Sequence, residues 1–446
     1  MTDLLSAVER AGVVGCGGAG FPTHAKYNTV AELLLINAAE CEPLLGTDRY
    51  LVREKAAEIC EAAESVRAHL GASEAVIALK KTYRAEIEAL SAALLPYPTL
   101  RMHLLRSFYP AGDEQTLVFE VTGRTVPPGA LPGAVGCVVS NAATLYAVWH
   151  ALHGRAFTQK YITINGAVSK PCILKTPVGT SFADCLAAAG GSTVRDYIVV
   201  SGGPMMGKVF GGEETAELAV SKTTSGFPLL PKDARMAQYA VLNERQTINR
   251  ARAACIQCSF CTGLCPRRLL GHPLEPHRIM RRISSSDWRG TLPHDSVLQS
   301  AALCCECGIC ELYACPMQLQ PRKINALIKQ EMRAQNIKPP PFNIDQSLPE
   351  FRDERKVPTK RAAARAGVGG YYGEVPMCFA ELHPQEVSIA LNSHIGAPAE
   401  PIVSVGGRVE HGQLIARPPS GALGACYHAS ISGIITNINN KITIHV

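Results

Sequence analysis

The sequence predicts a multidomain protein of the α/β plus α+β class, with a helical cysteine-rich part and an all-β C-terminal end. Three observations carry this. The first 150 residues alternate apolar strand-like runs with helical stretches, nine of the 17 cysteines fall between Cys255 and Cys315, and the last 60 residues are short β-like runs split by glycines. At 446 residues the chain is long enough for two to four domains.

At the N-terminal end, Glu32–Asn37 holds the run Leu-Leu-Leu-Ile, Glu54–Leu70 has helical periodicity, and Ala75–Leu79 reads as the next strand. This alternation implies an open sheet of parallel strands. The glycine-rich segment Gly15-Cys-Gly17-Gly18-Ala-Gly20 stands near its start. From Tyr161 the pattern changes to a small α+β unit. Tyr161–Ile164 alternates, Asn165-Gly166 is a tight-turn signal, Ser181–Ala189 predicts one short helix, and Tyr197–Val200 another strand.

Lys232–Arg252 reads as a helical approach to the cysteines, with further helices at Glu275–Ile283 and Arg322–Gln335. Pro339-Pro-Pro341 closes that part, and the stretch to Pro384, polar, basic and rich in Gly and Pro, reads as a linker or surface-hugging segment. Beyond it, Val387–Leu391, Pro401–Val405, Gln413–Ala416, Ile431–Ile438 and Lys441–Val446 predict a small barrel or sandwich.

A net charge of +6 is small for this length and argues against a nucleic-acid binder. No stretch reaches the roughly 18–20 uninterrupted apolar residues of a membrane span. Asp3, Glu9 and Arg10 do not suit a signal peptide. The expected location is therefore the reducing cytoplasm, where clustered cysteines serve metals more often than disulfides. The eight scattered cysteines read as small buried apolar residues or incidental thiols.

The clustered ones form two motifs, Cys255-x2-Cys258-x2-Cys261-x3-Cys265-Pro and Cys304-x2-Cys307-x2-Cys310-x4-Cys315-Pro. The first matches the run that holds [4Fe–4S] clusters in bacterial ferredoxins. There, three thiolates on a tight loop grip one cluster and the fourth points to the other. With that crossover, one cluster takes Cys255, Cys258, Cys261 and Cys315, and the other Cys304, Cys307, Cys310 and Cys265. Zinc, the alternative, takes its ligands in Cys-x2-Cys pairs and suits two runs of four poorly. Cys305 competes with Cys304 as a ligand. Between Arg250 and Gly290 stand eight arginines and two acids. They either balance the anionic clusters or form a docking patch for an acidic partner.

The loop Gly15-x-Gly17-Gly18-x-Gly20-Phe-Pro-Thr-x-x-Lys26 departs from the dinucleotide fingerprint G-x-G-x-x-G. It is joined by Asn37-Ala-Ala-Glu40-Cys-Glu42-Pro, Tyr109-Pro-Ala-Gly112-Asp-Glu114 and Ser140-Asn141-Ala-Ala-Thr144. These four segments resemble the flavin- and NADH-binding subunit of respiratory complex I and the C subunit of the Rnf electron-transport complex. With both cysteine motifs, the chain is most similar to the cobalamin reductases of propanediol-utilisation microcompartments.

The resemblance implies a Rossmann-like FMN- and NADH-binding domain over 1–155 and a β-grasp soluble-ligand-binding module over 156–225. It further implies a helical ferredoxin-like domain with two [4Fe–4S] clusters over 226–340, a linker over 341–384, and a barrel-sandwich module over 385–446. Gly15, Gly17, Gly18, Gly20 and Lys26 would hold FMN, with Asn37 against the flavin. Glu40 and Glu42 would lie near the nicotinamide side, and Asn141 and Thr144 on the other flank. Ala39 replaces an aspartate of the complex I pattern. Residues Tyr161–Val209 are the implied cobalamin-contacting surface. The C-terminal module resembles biotinyl and lipoyl carriers too, but it has no attachment lysine turn.

The implied activity is NADH-dependent reduction of cobalamin through FMN and two clusters. The implied partners are an adenosyltransferase, a diol dehydratase and microcompartment proteins, and the implied location is a bacterial microcompartment. An Rnf-like subunit of a membrane complex and a non-catalytic iron–sulfur adaptor are the alternatives. His272, His277, His394 and His428 are candidate cobalt ligands, with surface or hydrogen-bonding roles as their ordinary reading.

Overall fold

The computed structural model describes residues 3–285, 287–344, 348–373, 376 and 378–446. Near the N-terminus four parallel strands stand in the order Leu100–Leu105, Glu74–Lys80, Leu33–Asn37, Cys137–Asn141. Their runs are apolar on both faces because helices cover both. Leu34 and Ile36 enter one core with Val66 of the helix Ala56–Leu70 and Val148 of the helix Ala142–Leu152. Leu33 and Leu35 enter another with Leu117 and Val118 of the helix Glu114–Thr122. The helix expected over Glu54–Leu70 is Ala56–Leu70, and a separate helix, Thr47–Glu54, not expected from the sequence, precedes it.

The strand order reverses between Leu33–Asn37 and Cys137–Asn141, and a crevice opens at the carboxyl ends of strands at such a point. Asn37 and Asn141, the last residues of these strands, are paired in register.

The second sheet has six strands in the order Phe379–Glu381, Cys172–Pro177, Gln159–Gly166, Gly226–Pro231, Tyr197–Ser201, Lys208–Gly211. Gly226–Pro231 lies inside it, parallel to one neighbour and antiparallel to the other, so a boundary at 225 cuts through the sheet. Two prolines in that strand, which remove ladder donors, disguise it in the sequence. Asn165-Gly166 does not close a two-residue turn either. Both residues belong to the strand, and Gly166 (φ +92°) is needed because a Cβ there would collide with the Leu229 carbonyl.

The expected linker 341–384 is, in its described residues, an integral strap. Val357–Pro358 pairs with Phe108–Tyr109, and the helix Thr359–Arg365 buries Ala362 and Ala363 against Tyr109, Met205 and Leu312. Phe379–Glu381 then adds an edge strand to the six-stranded sheet. Alanines and glycines bury closely without producing an apolar periodicity, which is why the segment reads as linker. Arg352 and Lys356 fasten it to Glu120 at 2.5 and 2.7 Å, all three side chains being largely buried.

The approach helix is also split, into Arg235–Ala240 and Glu244–Ala254, because Asn243 and Gln246 form a capping box for the second. That helix joins Pro276–Arg282 and Pro321–Ala334 round a core holding Trp288, Leu298 and Ile328. At the C-terminal end two small sheets enclose Val387, Ile415, Tyr427, Ile435 and Ile442. The strand expected at Pro401–Val405 is reduced to Glu400–Pro401.

Lys222, fully buried, ties three parts together. Its ammonium donates to the carbonyls of Gly12 and Cys426, each at 2.6 Å, and lies over the Tyr427 ring. Among the described residues no helix is long and apolar enough to cross a membrane.

The strap makes a prediction. Glu120→Ala leaves Arg352 and Lys356 without their shared buried partner, and removing one side of such a pair costs about 3 kcal/mol. Limited proteolysis within 341–373 is expected to accelerate, together with a lower melting temperature.

Candidate functional site

The crevice at the strand ends is a cleft of about 380 Å³. Gly15, Gly17, Gly20, Lys26, Asn37, Glu40, Glu42, Asn141 and Thr144 all line it, so the sequence-expected residues converge on one place. Gly18 is the exception: it sits exposed at the tip of the loop with φ +119°. The loop is a tight reversal, with Gly15 N–H bonded to the Phe21 carbonyl at 2.9 Å, and Thr144 Oγ1 accepts from Cys16 N–H at 2.9 Å. Gly20 (φ +69°) has no room for a Cβ beside Thr223 and His394.

Opposite the loop, Asn141 caps the helix Ala142–Leu152 by accepting from Ala143 N–H, and its amide donates to Asp48 at 2.6 Å. A helix N-terminus and a glycine loop facing one cleft offer backbone N–H groups to an anion. Asn37 donates to the Gly112 carbonyl at 2.8 Å and so clips the first strand to the 109–114 segment. Lys26 pairs with Glu114 at 3.0 Å, and both line the cleft.

The acidic segment is held from behind, Lys80 Nζ and Tyr83 OH each donating to the Glu40 carbonyl at 2.8 Å. Burial, with Asp48 nearby, pushes the Glu40 carboxyl up to about 8. Burial likewise pushes Glu42 up to about 7, although Met205 N–H donates to it at 2.8 Å and Tyr109 OH, whose proton is shared with the Cys307 carbonyl, lies at 3.1 Å. Asp48 is also raised by burial. Asp48 and Lys160, both in the cleft wall, escaped sequence reasoning, since neither stands in a motif and Lys160 arrives from the second sheet.

The cysteines ring two further small cavities. Cys255, Cys258, Cys261 and Cys315 line one, and Cys265, Cys304, Cys305, Cys307 and Cys310 the other. This is the crossover arrangement. Among the described residues no group of three or more His, Cys, Asp or Glu converges on a point where a single ion would sit.

The two loops share one backbone pattern. Gln257 and Ser259 have φ +54° and +60°, and Glu306 and Gly308 have +56° and +79°. Counting from those turns, Cys304 occupies the place of Cys255, and Cys305 that of Ile256. The extra residue before Cys315 is taken up by a π-helical turn over Ile309–Ala314, where the first loop has the α-helix Phe260–Gly263.

The donor set suits a metal cluster. Burial, and then repulsion from the neighbouring thiols, pushes Cys261 up to about 12, and burial does the same for Cys265. Thiols so placed become thiolates when a metal takes the proton's place. Asn325, buried beside the second cavity, stands with its amide beside the Cys304 thiol and its oxygen without a hydrogen-bond partner.

The second cavity borders the cleft. Cys305 and Cys307 line both, and Tyr109 OH donates to the Cys307 carbonyl at 2.8 Å. Arg267, two residues after Cys265, makes a two-point ion pair with Asp113 in the cleft wall.

The four candidate histidines are not brought together. His272 bonds the Val126 carbonyl, His277 bonds Thr262, and His394 bonds Tyr427 and Ala397. His428 is buried elsewhere, its Nδ1 making no close hydrogen bond.

Comparison with known proteins agrees with this geometry. The Nuo51 FMN-binding domain matches residues 8–150, the SLBB domain 161–209, the 4Fe-4S dicluster domain 254–320 and the RnfC barrel sandwich hybrid domain 379–446. Cobalamin reductase PduS of Salmonella typhimurium is 42% identical over 98% of this chain and 95% of its own length. The protein of the same name from Citrobacter freundii is 40% identical over 97% and 94%. The C component of the Na(+)-translocating ferredoxin:NAD(+) oxidoreductase complex of Acetobacterium woodii is 32% identical over 59% of this chain and 57% of its own. Among solved structures, an NAD+-reducing [NiFe]-hydrogenase in the H2-reduced state aligns with a TM-score of 0.50. It is 22% identical and covers 76% of this chain and 67% of its own, a likeness of fold.

The raised carboxyl of Glu40 has a measurable consequence. Below its ordinary value of 4.5 it is protonated folded or unfolded. Between 4.5 and about 8 the folded protein keeps a proton that the unfolded chain releases. Its contribution to stability therefore falls as pH rises through that window. Glu40→Gln is expected to flatten the decline of melting temperature over this range, with no change below it.

Proposed function

The chain belongs to the cobalamin reductase family, and from that premise we propose that it passes electrons from NADH through FMN and two [4Fe–4S] clusters to cobalamin. The carrying observation is that one chain holds a flavin-sized cleft, a five-thiol cavity that borders it, and a further four-thiol cavity. FMN supplies the change from a hydride to single electrons, and the clusters supply one-electron carriers. We read the modules as Rossmann-like, β-grasp, ferredoxin-like and barrel-sandwich, with the FMN and NADH sites in the first.

In this reading the protein's own groups bind and orient. The Gly15–Gly20 loop and the N-terminus of Ala142–Leu152 receive the flavin phosphate, with Lys26 adding charge. Asn37 and Asn141 fix the crevice edges, and Thr144 braces the loop through Cys16. Glu40, raised to about 8, holds its proton at neutral pH, and Glu42, raised to about 7, is divided between its two forms there, so little fixed negative charge faces the nicotinamide side.

Cys255, Cys258, Cys261 and Cys315 hold one cluster, and Cys265, Cys304, Cys307 and Cys310 the other, with the Asn325 amide free to donate to its sulfurs. The second set borders the flavin cleft and marks the inward end. The first stands beside Ile256 and Phe260, which are 60% and 58% exposed, and marks the outward end. The protein works inside a bacterial microcompartment, beside an adenosyltransferase and a diol dehydratase that handle the same cofactor.

The decisive assay is anaerobic purification with reconstituted iron, followed by cofactor release and NADH-dependent reduction of cob(III)alamin and cob(II)alamin. Bound FMN and corrinoid reduction are expected. Absence of flavin, or clusters that NADH does not reduce, overturns the reading. Cys261→Ala is expected to remove one of two cluster signals by electron paramagnetic resonance and leave flavin content unchanged. Survival of both signals refutes the ligand assignment.

A further inference from the structure

A second cleft is larger than the flavin cleft. It is a cleft of about 880 Å³ behind it, walled by the helices Leu4–Ala11 and Ala142–Leu152, by the second sheet, and by the C-terminal module. It shares Cys16, Ala143 and Lys160 with the flavin cleft, so the two lie back to back.

Its lining is one-sided in charge. Five cationic side chains and three histidines contribute, and no Asp or Glu does. Lys55 and Lys175 are paired with Glu58 and Glu381, which stand outside the wall. Arg10, Arg155 and Lys160 make no close ion pair among the described residues, although the Lys160 charge is felt by Asp48 of the flavin cleft. Cations gathered in excess of acids repel one another, and an anion between them removes that repulsion. Lys160 is itself 4% exposed.

A second observation points the same way. His428 is 8% exposed and lines the cleft; its ring interacts with the Arg10 backbone, and its Nδ1 makes no close hydrogen bond. Burial pushes it down to about 4, so it stays neutral near pH 7. A buried polar atom without a close partner at a cavity wall needs one.

The remaining wall is aromatic. Tyr146 meets Tyr161 edge-on at 5.8 Å and His150 at 4.7 Å, and Phe157 closes the side beneath. Such a wall takes a planar ring, while the cations take a phosphate.

We propose that this cleft binds a nucleotide unit, a phosphate ester carrying an aromatic base, with Arg10, Arg155 and Lys160 on the phosphate and the Tyr146–Tyr161 wall on the base. Two ligands carry that unit, a free dinucleotide and the nucleotide tail of a corrinoid. The second source rests on the cobalamin reductase reading, and the first does not.

The test is equilibrium binding to the full-length, cofactor-loaded protein. The probes are ADP-ribose, cobalamin and cobinamide, a corrin without the nucleotide tail. If the tail is the ligand, cobalamin binds at least about tenfold tighter than cobinamide. If the dinucleotide is, ADP-ribose binds and the two corrinoids do not differ. In either case Arg10→Glu with Arg155→Glu weakens that ligand at least about tenfold, and added salt weakens it in the parent protein.

Both residues are exposed at the rim, and flavin content and circular dichroism of the double variant are expected to match the parent. The proposal is overturned if ADP-ribose fails to bind while cobalamin and cobinamide bind equally, or if the charge reversal leaves the affinity unchanged. Failure of corrinoid reduction with intact ADP-ribose binding counts against the cobalamin reading and not against the cleft.

Discussion

Two charged side chains hold the flavin cleft and the cysteine domain in one piece. Asp113 and Arg267 meet at 2.5 and 2.9 Å in a two-point pair, with side chains only 13% and 9% exposed. Taking both ions out of water costs several kcal/mol each, so the pair persists only with good geometry and further hydrogen bonds. It has both. Asp113 also accepts from the backbone and hydroxyl of Thr116, capping the helix Glu114–Thr122. The guanidinium holds its carboxyl below the usual range despite burial. Because Arg267 follows Cys265-Pro266, the pair clamps the crossover thiol to the wall of the cleft. An apolar pair of equal volume could match its stability, but it would not dictate which residue faces which.

How much was legible in the sequence follows from what each signal depends on. The parallel sheet shows because strands covered on both faces need continuous apolar runs, as in Leu33–Ile36. The glycine loop and the cysteine runs show because their spacing is local. Asp48 and Lys160 do not show. Their place in the cleft comes from a helix start and from a strand of another sheet, positions that only the assembled topology creates. The strap was hidden for a different reason. Ala362, Ala363 and Ala366 bury completely while adding little hydropathy, and close approach is what their size allows. Gly226–Pro231 was hidden by its own prolines.

The cysteine loops illustrate a further limit. Spacing alone left Cys304 and Cys305 in competition, since a ligand count does not see backbone handedness. The repeated left-handed turns at Gln257 and Glu306 put Cys304, not Cys305, at the place that Cys255 holds in the first loop. They also turn Cys305 towards Arg267 and the flavin cleft. The x4 gap, which looked like a defect of the motif, is accommodated by widening one helical turn, and the Cys-Pro end keeps its geometry. Cys265 and Cys315 have nearly the same backbone angles, φ −67°, ψ 121° and φ −74°, ψ 113°.

The acids of the flavin cleft look misplaced at first, since an anionic cofactor and an anionic dinucleotide are to be admitted beside them. Their burial resolves this. Glu40 and Glu42 have carboxyls raised towards or beyond neutrality, and a protonated carboxyl neither repels a phosphate nor loses its capacity to donate a hydrogen bond. Asp113 and Glu114 in the same wall are paired with Arg267 and Lys26, and the helix N-terminus at Ala142 is of the sign that attracts. Exposed carboxylates in the same places would keep their charge and oppose both ligands. The depth of the acidic segment, set by Lys80 and Tyr83 gripping the Glu40 carbonyl, is therefore part of the site's chemistry, and the strap adds to it by placing Thr359 on Lys80 at 3.2 Å.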